Sequence, residues 1–168
     1  MPPFLFLVLC DISLLMIKIS RSVQQTHKIA KDVLNWALSA APGSNEAIVV
    51  ALEGDLGSGK TSFTQGFAKH LGIKEKITSP TFVILKKFKI PQQGGTGVKN
   101  LIHIDAYRIE KSEEILELRW NEFINDPSYI ILVEWADKIK NILPKKYFLV
   151  KLECISEKER SLDIRLVV

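Results

Sequence analysis

The run from residue 54 to residue 61 combines glycines, a lysine and a hydroxyl side chain at a spacing that can bind phosphate. It fits the P-loop pattern G-x-x-x-x-G-K-[ST] and reads Gly54-Asp55-Leu56-Gly57-Ser58-Gly59-Lys60-Thr61. Glycines allow successive backbone N–H groups to point toward one place, and a following helix adds its dipole. We expect Lys60 to reach the β- and γ-phosphates of a nucleotide and the Thr61 hydroxyl to take one Mg²⁺ position.

Two acidic residues stand directly after apolar runs further along the chain. Asp105 follows Leu101–Ile104, and Glu134 follows Ile130–Val133. Ligands of α/β sheets bind at the carboxyl ends of the strands, so both acids are expected beside the P-loop. Asp105 fits a Walker B role, in contact with Mg²⁺ or polarising the attacking water, and Glu134 can complete the Mg²⁺ shell. The sequence leaves open which of the two acids binds Mg²⁺ and which activates the attacking water.

Other candidates for nucleotide contact have two interpretations each. Ser79 and Thr81 flank Pro80, and their hydroxyls could order a loop around a γ-phosphate, although a plain turn accounts for them equally well. Trp135 can pack on the nucleotide or belong to the core.

The elements that must position these residues follow from the spacing of apolar side chains. Helices are predicted at residues 22–38, 61–70 and 113–123, the first with Ser22 as its cap. Strands are predicted at residues 47–52, 82–90, 101–105, 129–133, 147–154 and 161–168. Strands that precede functional loops indicate an α/β fold, a P-loop NTPase-like three-layer sandwich with a central mixed, largely parallel sheet.

Length and composition are those of one soluble domain, with 168 residues and 46% hydrophobic residues. The net charge of +4 favours approach to nucleic acid or reflects an ordinary basic surface. The two cysteines lack metal-ligand spacing and favour a reducing compartment. The apolar run near the N-terminus is too short to span a bilayer, and no membrane partner is expected. Residues 1–15 are predicted to be a non-functional extension from an upstream start, and residues 16–168 the single P-loop domain.

Together, the motifs resemble those of the bacterial TsaE (YjeE-like) ATPases of tRNA threonylcarbamoyladenosine synthesis. The P-loop is shared by many families, whereas the S-P-T-[FY], H-x-D-x-Y-R and E-W elements are distinctive in combination. The resemblance runs from about Ile17 to the C-terminus, with Ser58 where the family usually has Ala and Ser62 where a second Thr is common. The matching segments are Leu52–Thr61, Thr78–Phe82, His103–Arg108, Glu113–Leu118 and Val133–Trp135.

The resemblance implies a cytoplasmic ATPase with ATP or ADP and Mg²⁺ as ligands and with weak intrinsic hydrolysis. Thr61 and Glu134 would hold Mg²⁺, and Asp105 would support hydrolysis together with Lys60 and Thr81. Thr81 and Ser79 would belong to a switch-like loop. The N-terminal segment around Thr26, and a late contact near Arg160, would touch the base. The nucleotide-binding residues so expected are Gly54, Asp55, Gly57, Ser58, Gly59, Lys60, Thr61, Ser62, Ser79, Trp135, Thr26 and Arg160.

The implied partners are the proteins TsaB and TsaD, with tRNA contacted indirectly through their complex. ATP hydrolysis would serve turnover of that complex, which modifies the adenosine next to the anticodon in tRNAs reading codons that begin with A.

Two alternative functions remain. A small P-loop metabolite kinase would usually need an arginine-rich lid, and the arginines of this chain are scattered. A non-catalytic nucleotide-dependent module would not need every one of Lys60, Thr61, Asp105 and Glu134.

Overall fold

Short apolar runs form the central strands of the sheet, as expected for strands that are covered on both faces. The computed structural model describes residues 15–41, 43–78, 83–91 and 97–168. The strands in this part of the chain are β1 (Leu15–Ser20), β2 (Ile48–Glu53), β3 (Leu85–Lys89), β4 (Asn100–Asp105), β5 (Tyr129–Glu134), β6 (Tyr147–Cys154) and β7 (Arg160–Val167). The helices are α1 (Val23–Ser39), α2 (Lys60–His70), α3 (Glu113–Leu116), α4 (Trp120–Ile124) and a 3₁₀ helix (Ala136–Ile142).

The strands form one sheet in the order β1-β7-β6-β2-β5-β4-β3. The four central strands, from β6 to β4, are parallel to one another. The outer pairs β1–β7, β6–β7 and β3–β4 are antiparallel. The expected mixed α/β sheet is therefore confirmed, with its parallel part at the centre, where the carboxyl ends of β2, β4 and β5 meet at one edge.

Two apolar clusters, one on each face of the sheet, give the three layers. One cluster joins α1 and α2 to the sheet, and Phe63 and Phe67 of α2 lie at its centre. The other joins α3, α4 and the 3₁₀ helix to the opposite face around Trp120 and Ile139. No helix in the described ranges is both long and apolar enough to cross a bilayer.

Most predicted elements are present, and the Ser22 hydroxyl accepts a hydrogen bond from the Gln25 N–H at 3.2 Å, as expected for a helix cap. The predicted helix over 113–123 is wrong in one respect, because the structure has two short helices separated by a turn at residues 117–119. Arg119 has φ 65°, a left-handed conformation that no helix interior can contain. The turn directs Trp120 into the core, where its Nε1 donates to the Ile142 carbonyl at 3.1 Å.

Two elements were not predicted, the 3₁₀ helix and the edge strand β1. β1 alternates exposed residues with half-buried or buried ones along β7. The sequence carries the same alternation, but over only 6 residues near the N-terminus. Residues 1–14 of the predicted extension lie outside the described residues, whereas Leu15 is the first residue of β1. The loop with Ser79 and Thr81 also lies outside them.

Candidate active site

The glycine loop joins the end of β2 to the start of α2, the strand–loop–helix arrangement that a P-loop requires. Gly54 has φ 141°, and a Cβ at this position would lie 2.2 Å from the Leu152 carbonyl oxygen of β6. Only glycine allows the loop to pass this close to the neighbouring strand. Gly59, with φ 103°, ends the loop one residue before α2 begins. Gly57 and the buried Ser58 lie between them.

Lys60 is folded back onto its own loop. Its Nζ donates to the carbonyl oxygens of Gly54 at 2.6 Å and Asp55 at 2.8 Å, and lies 3.7 Å from the Trp135 ring centroid. The side chain is buried, and this burial lowers the pKa of Lys60 although the nearby carboxylates of Glu134 and Asp105 act in the opposite direction. The ammonium is thus held at the N-terminus of α2 by two hydrogen bonds and by its contact with the face of an aromatic ring.

Glu134 is the centre of a buried polar network at the end of β5. Its Oε2 accepts from the Thr61 hydroxyl at 2.9 Å, and its Oε1 accepts from the Thr64 hydroxyl at 2.8 Å. His103 Nε2 lies 3.0 Å from the same Oε1. Burial raises the pKa of Glu134, but the hydrogen bond and charge of His103 and the two threonine hydroxyls outweigh it, so the pKa lies below its ordinary value. The side chain is therefore an ionised carboxylate at neutral pH.

Asp105 lies beside Glu134, because the two residues are partners in the parallel ladder between β4 and β5. Asp105 is buried, and its Oδ1 accepts from the Tyr107 N–H at 3.0 Å. Leu52, at the end of β2, is the partner of Glu134 on the other side. The three strand ends that were expected to converge do so.

The residues expected to contact the base also come together. A cavity of about 340 Å³ beside the loop is lined by Thr26, Gly57, Gly59, Ser62 and Arg160, among others. Thr26 is buried, and its hydroxyl lies 2.7 Å from that of Ser20 in β1. The Arg160 guanidinium donates to backbone carbonyls of its own turn, including that of Ser156 at 2.9 Å. Sequence positions far apart thus line one space next to the phosphate loop.

Trp135 is half-buried and has φ 60°. Its ring contacts Lys60, as described above, and Tyr107, with ring centroids 5.0 Å apart. The side chain therefore borders the P-loop and also packs against the apolar cluster around Trp120 and Ile139.

Sequence reasoning assigned no role to Thr64 and His103. Both could have been noticed: Thr64 lies three residues after Thr61 on the same helix face, and His103 lies two residues before Asp105 on the same strand face. Both side chains are almost completely buried, and both contact Oε1 of Glu134.

The oxygen atoms at this edge fit Mg²⁺ in kind. No group of three or more His, Cys, Asp or Glu side chains within the described ranges could hold a metal by itself. Mg²⁺ does not need such a group, because it is commonly bound through one or two carboxylates together with substrate phosphates and water. The Thr61 hydroxyl and the Glu134 carboxylate, 2.9 Å apart next to the phosphate loop, are a donor pair of that type.

The family model described as threonylcarbamoyl adenosine biosynthesis protein TsaE matches residues 20–162, which include the P-loop and the carboxyl ends of β2, β4 and β5. The chain belongs to the TsaE family. The expected resemblance is confirmed, and with it the α/β fold of the family.

Individual relatives agree with this assignment. The chain is 38% identical over 144 residues to the tRNA threonylcarbamoyladenosine biosynthesis protein TsaE of Bacillus subtilis, covering 86% of this chain and 81% of the relative. It is 36% identical over 136 residues to the protein of the same name from Rickettsia typhi, covering 80% and 89%. Among solved structures, Bacillus subtilis YdiB superimposes with a TM-score of 0.67 at 31% identity, covering 95% of this chain and 90% of YdiB. Family membership links the chain to threonylcarbamoyladenosine biosynthesis.

Proposed function

We propose that this TsaE-family chain is a Mg²⁺-dependent ATPase acting in the threonylcarbamoyladenosine modification of tRNA. One observation carries the proposal: Lys60, Thr61, Asp105 and Glu134 meet at a single sheet edge beside a cavity of about 340 Å³. The names of the relatives supply the pathway.

The loop and Lys60 would bind the phosphates. Backbone N–H groups at the start of α2 and the helix dipole favour a negative charge at this position. Lys60 would leave the carbonyls of Gly54 and Asp55 and the face of Trp135 to pair with phosphate oxygens. Both carbonyls are neutral acceptors, and hydrogen bonds between charged groups are stronger than those to neutral ones.

Thr61 and Glu134 would hold Mg²⁺, which when bound neutralises developing phosphate charge. The lowered pKa of Glu134 suits this role, because it keeps the carboxylate ionised and makes it a weak proton acceptor. Asp105, its partner in the ladder between β4 and β5, is therefore our candidate for orienting the attacking water. Thr26, Ser62 and Arg160 would contact the base and ribose side of the nucleotide, and Ser79 and Thr81 would respond to the γ-phosphate.

We further propose that TsaB and TsaD are the partners, that hydrolysis resets their complex, and that tRNA is reached through it. The proposed compartment is the cytoplasm. An exposed Cys154, without a disulfide in the described part of the chain, is compatible with a reducing environment.

The test is ATP hydrolysis by the chain alone and then with TsaB, TsaD and tRNA from the same source. We expect slow hydrolysis that rises with the partners, together with formation of modified tRNA. Asp105→Ala should retain nucleotide binding and lose turnover by about 10²-fold or more. Hydrolysis indifferent to the partners, with phosphate transferred to a small molecule, would favour the kinase alternative instead.

A further inference from the structure

The two oxygens of Glu134 have different surroundings. Oε1 is contacted by Thr64 Oγ1 at 2.8 Å and by His103 Nε2 at 3.0 Å. Oε2 is contacted by Thr61 Oγ1 at 2.9 Å. An ionised carboxylate only accepts hydrogen bonds, so all three groups act as donors toward it. The two lone pairs of Oε1 are both in use, whereas among the described residues Oε2 has one contact, with Thr61 next to the phosphate loop.

The donors to Oε1 come from two elements that are fixed independently of any ligand. Thr64 belongs to the second turn of α2, and its exposure is 0%. His103 belongs to β4, is paired with Leu132 of β5, and is 1% exposed. A helix and a strand therefore each donate a hydrogen bond to the same oxygen from different directions. Together these bonds fix both the position and the plane of the carboxylate.

We infer that Thr64 and His103 are positioning residues that hold Glu134 through Oε1 and leave Oε2, the oxygen beside Thr61, as the Mg²⁺ ligand. This inference rests on the proposed function, which places Mg²⁺ at Thr61 and Glu134. Ligation through Oε1 would break one of two buried hydrogen bonds, whereas ligation through Oε2 preserves both. Groups that orient a ligating side chain in this way affect metal affinity by about 10- to 100-fold.

Thr64 needs a matched pair of variants, because its hydroxyl also lies 3.0 Å from the Lys60 carbonyl oxygen. Thr64→Val keeps nearly the same shape and removes only the hydroxyl. Thr64→Ser keeps the hydroxyl and removes the methyl group. For His103, Gln retains an N–H donor of similar reach, whereas Leu retains only apolar volume.

The experiment is a Mg²⁺ titration of the binding of a fluorescent ADP analogue, with a parallel measurement of its affinity in EDTA. We expect Thr64→Val and His103→Leu to raise the Mg²⁺ concentration at half-effect on the order of 10-fold, with the affinity in EDTA unchanged. Thr64→Ser and His103→Gln should return this concentration toward that of the unaltered protein. A merely structural role would instead change the melting temperature and the affinity in EDTA together.

Wild-type Mg²⁺ dependence in both Thr64→Val and His103→Leu would overturn the inference, as would an equal effect of Thr64→Ser and Thr64→Val. Glu134→Gln separates this outcome from failure of the proposed function. If Glu134→Gln also leaves the Mg²⁺ dependence unchanged, the metal assignment itself is wrong; if it alone has an effect, only the positioning roles are wrong. Should His103→Leu fail to fold, the two Thr64 variants decide the matter.

Discussion

Lys60 and Glu134 each have partners within the protein that stabilise their charges before any ligand binds. The ammonium of Lys60 makes two backbone hydrogen bonds and rests over Trp135, so it is satisfied before any phosphate arrives. Glu134 is likewise satisfied by three donors. Burying either charge without such partners would cost several kcal/mol. The site is thus preformed as a set of internal contacts, some of which a nucleotide would replace.

Lys60→Ala is expected to weaken nucleotide binding by about 10- to 100-fold, since charge-assisted hydrogen bonds contribute roughly 1.5–3 kcal/mol. Isothermal titration calorimetry with ADP and Mg²⁺ measures this directly. Lys69→Ala, an exposed lysine on the same helix, is the control and should bind as the unaltered protein does. Equal ADP affinity in the two variants would remove Lys60 from the phosphate site.

Glu134 predicts a pH dependence of stability in the metal-free protein. Its pKa is lower in the folded chain than in the unfolded chain, so its ionised form stabilises the fold above the unfolded pKa. That contribution disappears as the pH falls through the lower, folded pKa. Urea unfolding between neutral and acidic pH should therefore show a shallower loss of stability in Glu134→Gln than in the unaltered chain. Glu117→Gln, an exposed carboxylate, should retain the full slope; identical slopes in all three proteins would contradict the prediction.

At the scale of elements, the sequence predicts what periodicity and turn chemistry encode locally. The P-loop unit, the Ser22 cap and the buried strands were all predictable, because their patterns lie within a few residues of each other. The break at Arg119 was not, because no glycine or proline marks it and the burial of Trp120 decides the backbone. The contact of Thr64 and His103 with Glu134 was not predictable either, because it depends on the register of β4 and the rotation of α2.

The turn between α3 and α4 can be tested through its backbone. Arg119→Gly should be more stable than Arg119→Ala by about 1 kcal/mol, because only glycine adopts φ 65° without strain. Both variants lose the exposed ion pair with Glu122, so the comparison isolates the backbone term. Urea unfolding measures the difference. A more stable alanine variant would mean that the chain continues as one helix here, as the periodicity predicts.

At the scale of the whole molecule, the N-terminal strand joins distant parts of the chain to the site. β1 pairs with β7 along its full length, and α1 follows it directly. Ser20, the last residue of β1, contacts the buried Thr26 that lines the cavity beside the loop. The edge strand is therefore linked through α1 to the proposed base site.

Two truncations test this organisation. A chain starting at Met16 retains β1 apart from Leu15 and should match the full chain in stability and ADP affinity, as expected if residues 1–15 are a non-functional extension.

A chain with Met followed by residue 21 loses β1, which exposes the buried Leu162 and Ile164 of β7 and removes the Ser20 partner of Thr26. It should lose at least about 2 kcal/mol of stability, the value of one or two buried side chains, together with ADP affinity. Thermal melts and calorimetry measure both. A loss of ADP binding already in the Met16 chain would give residues 1–15 a function, and unchanged binding in the shorter chain would separate the base site from β1.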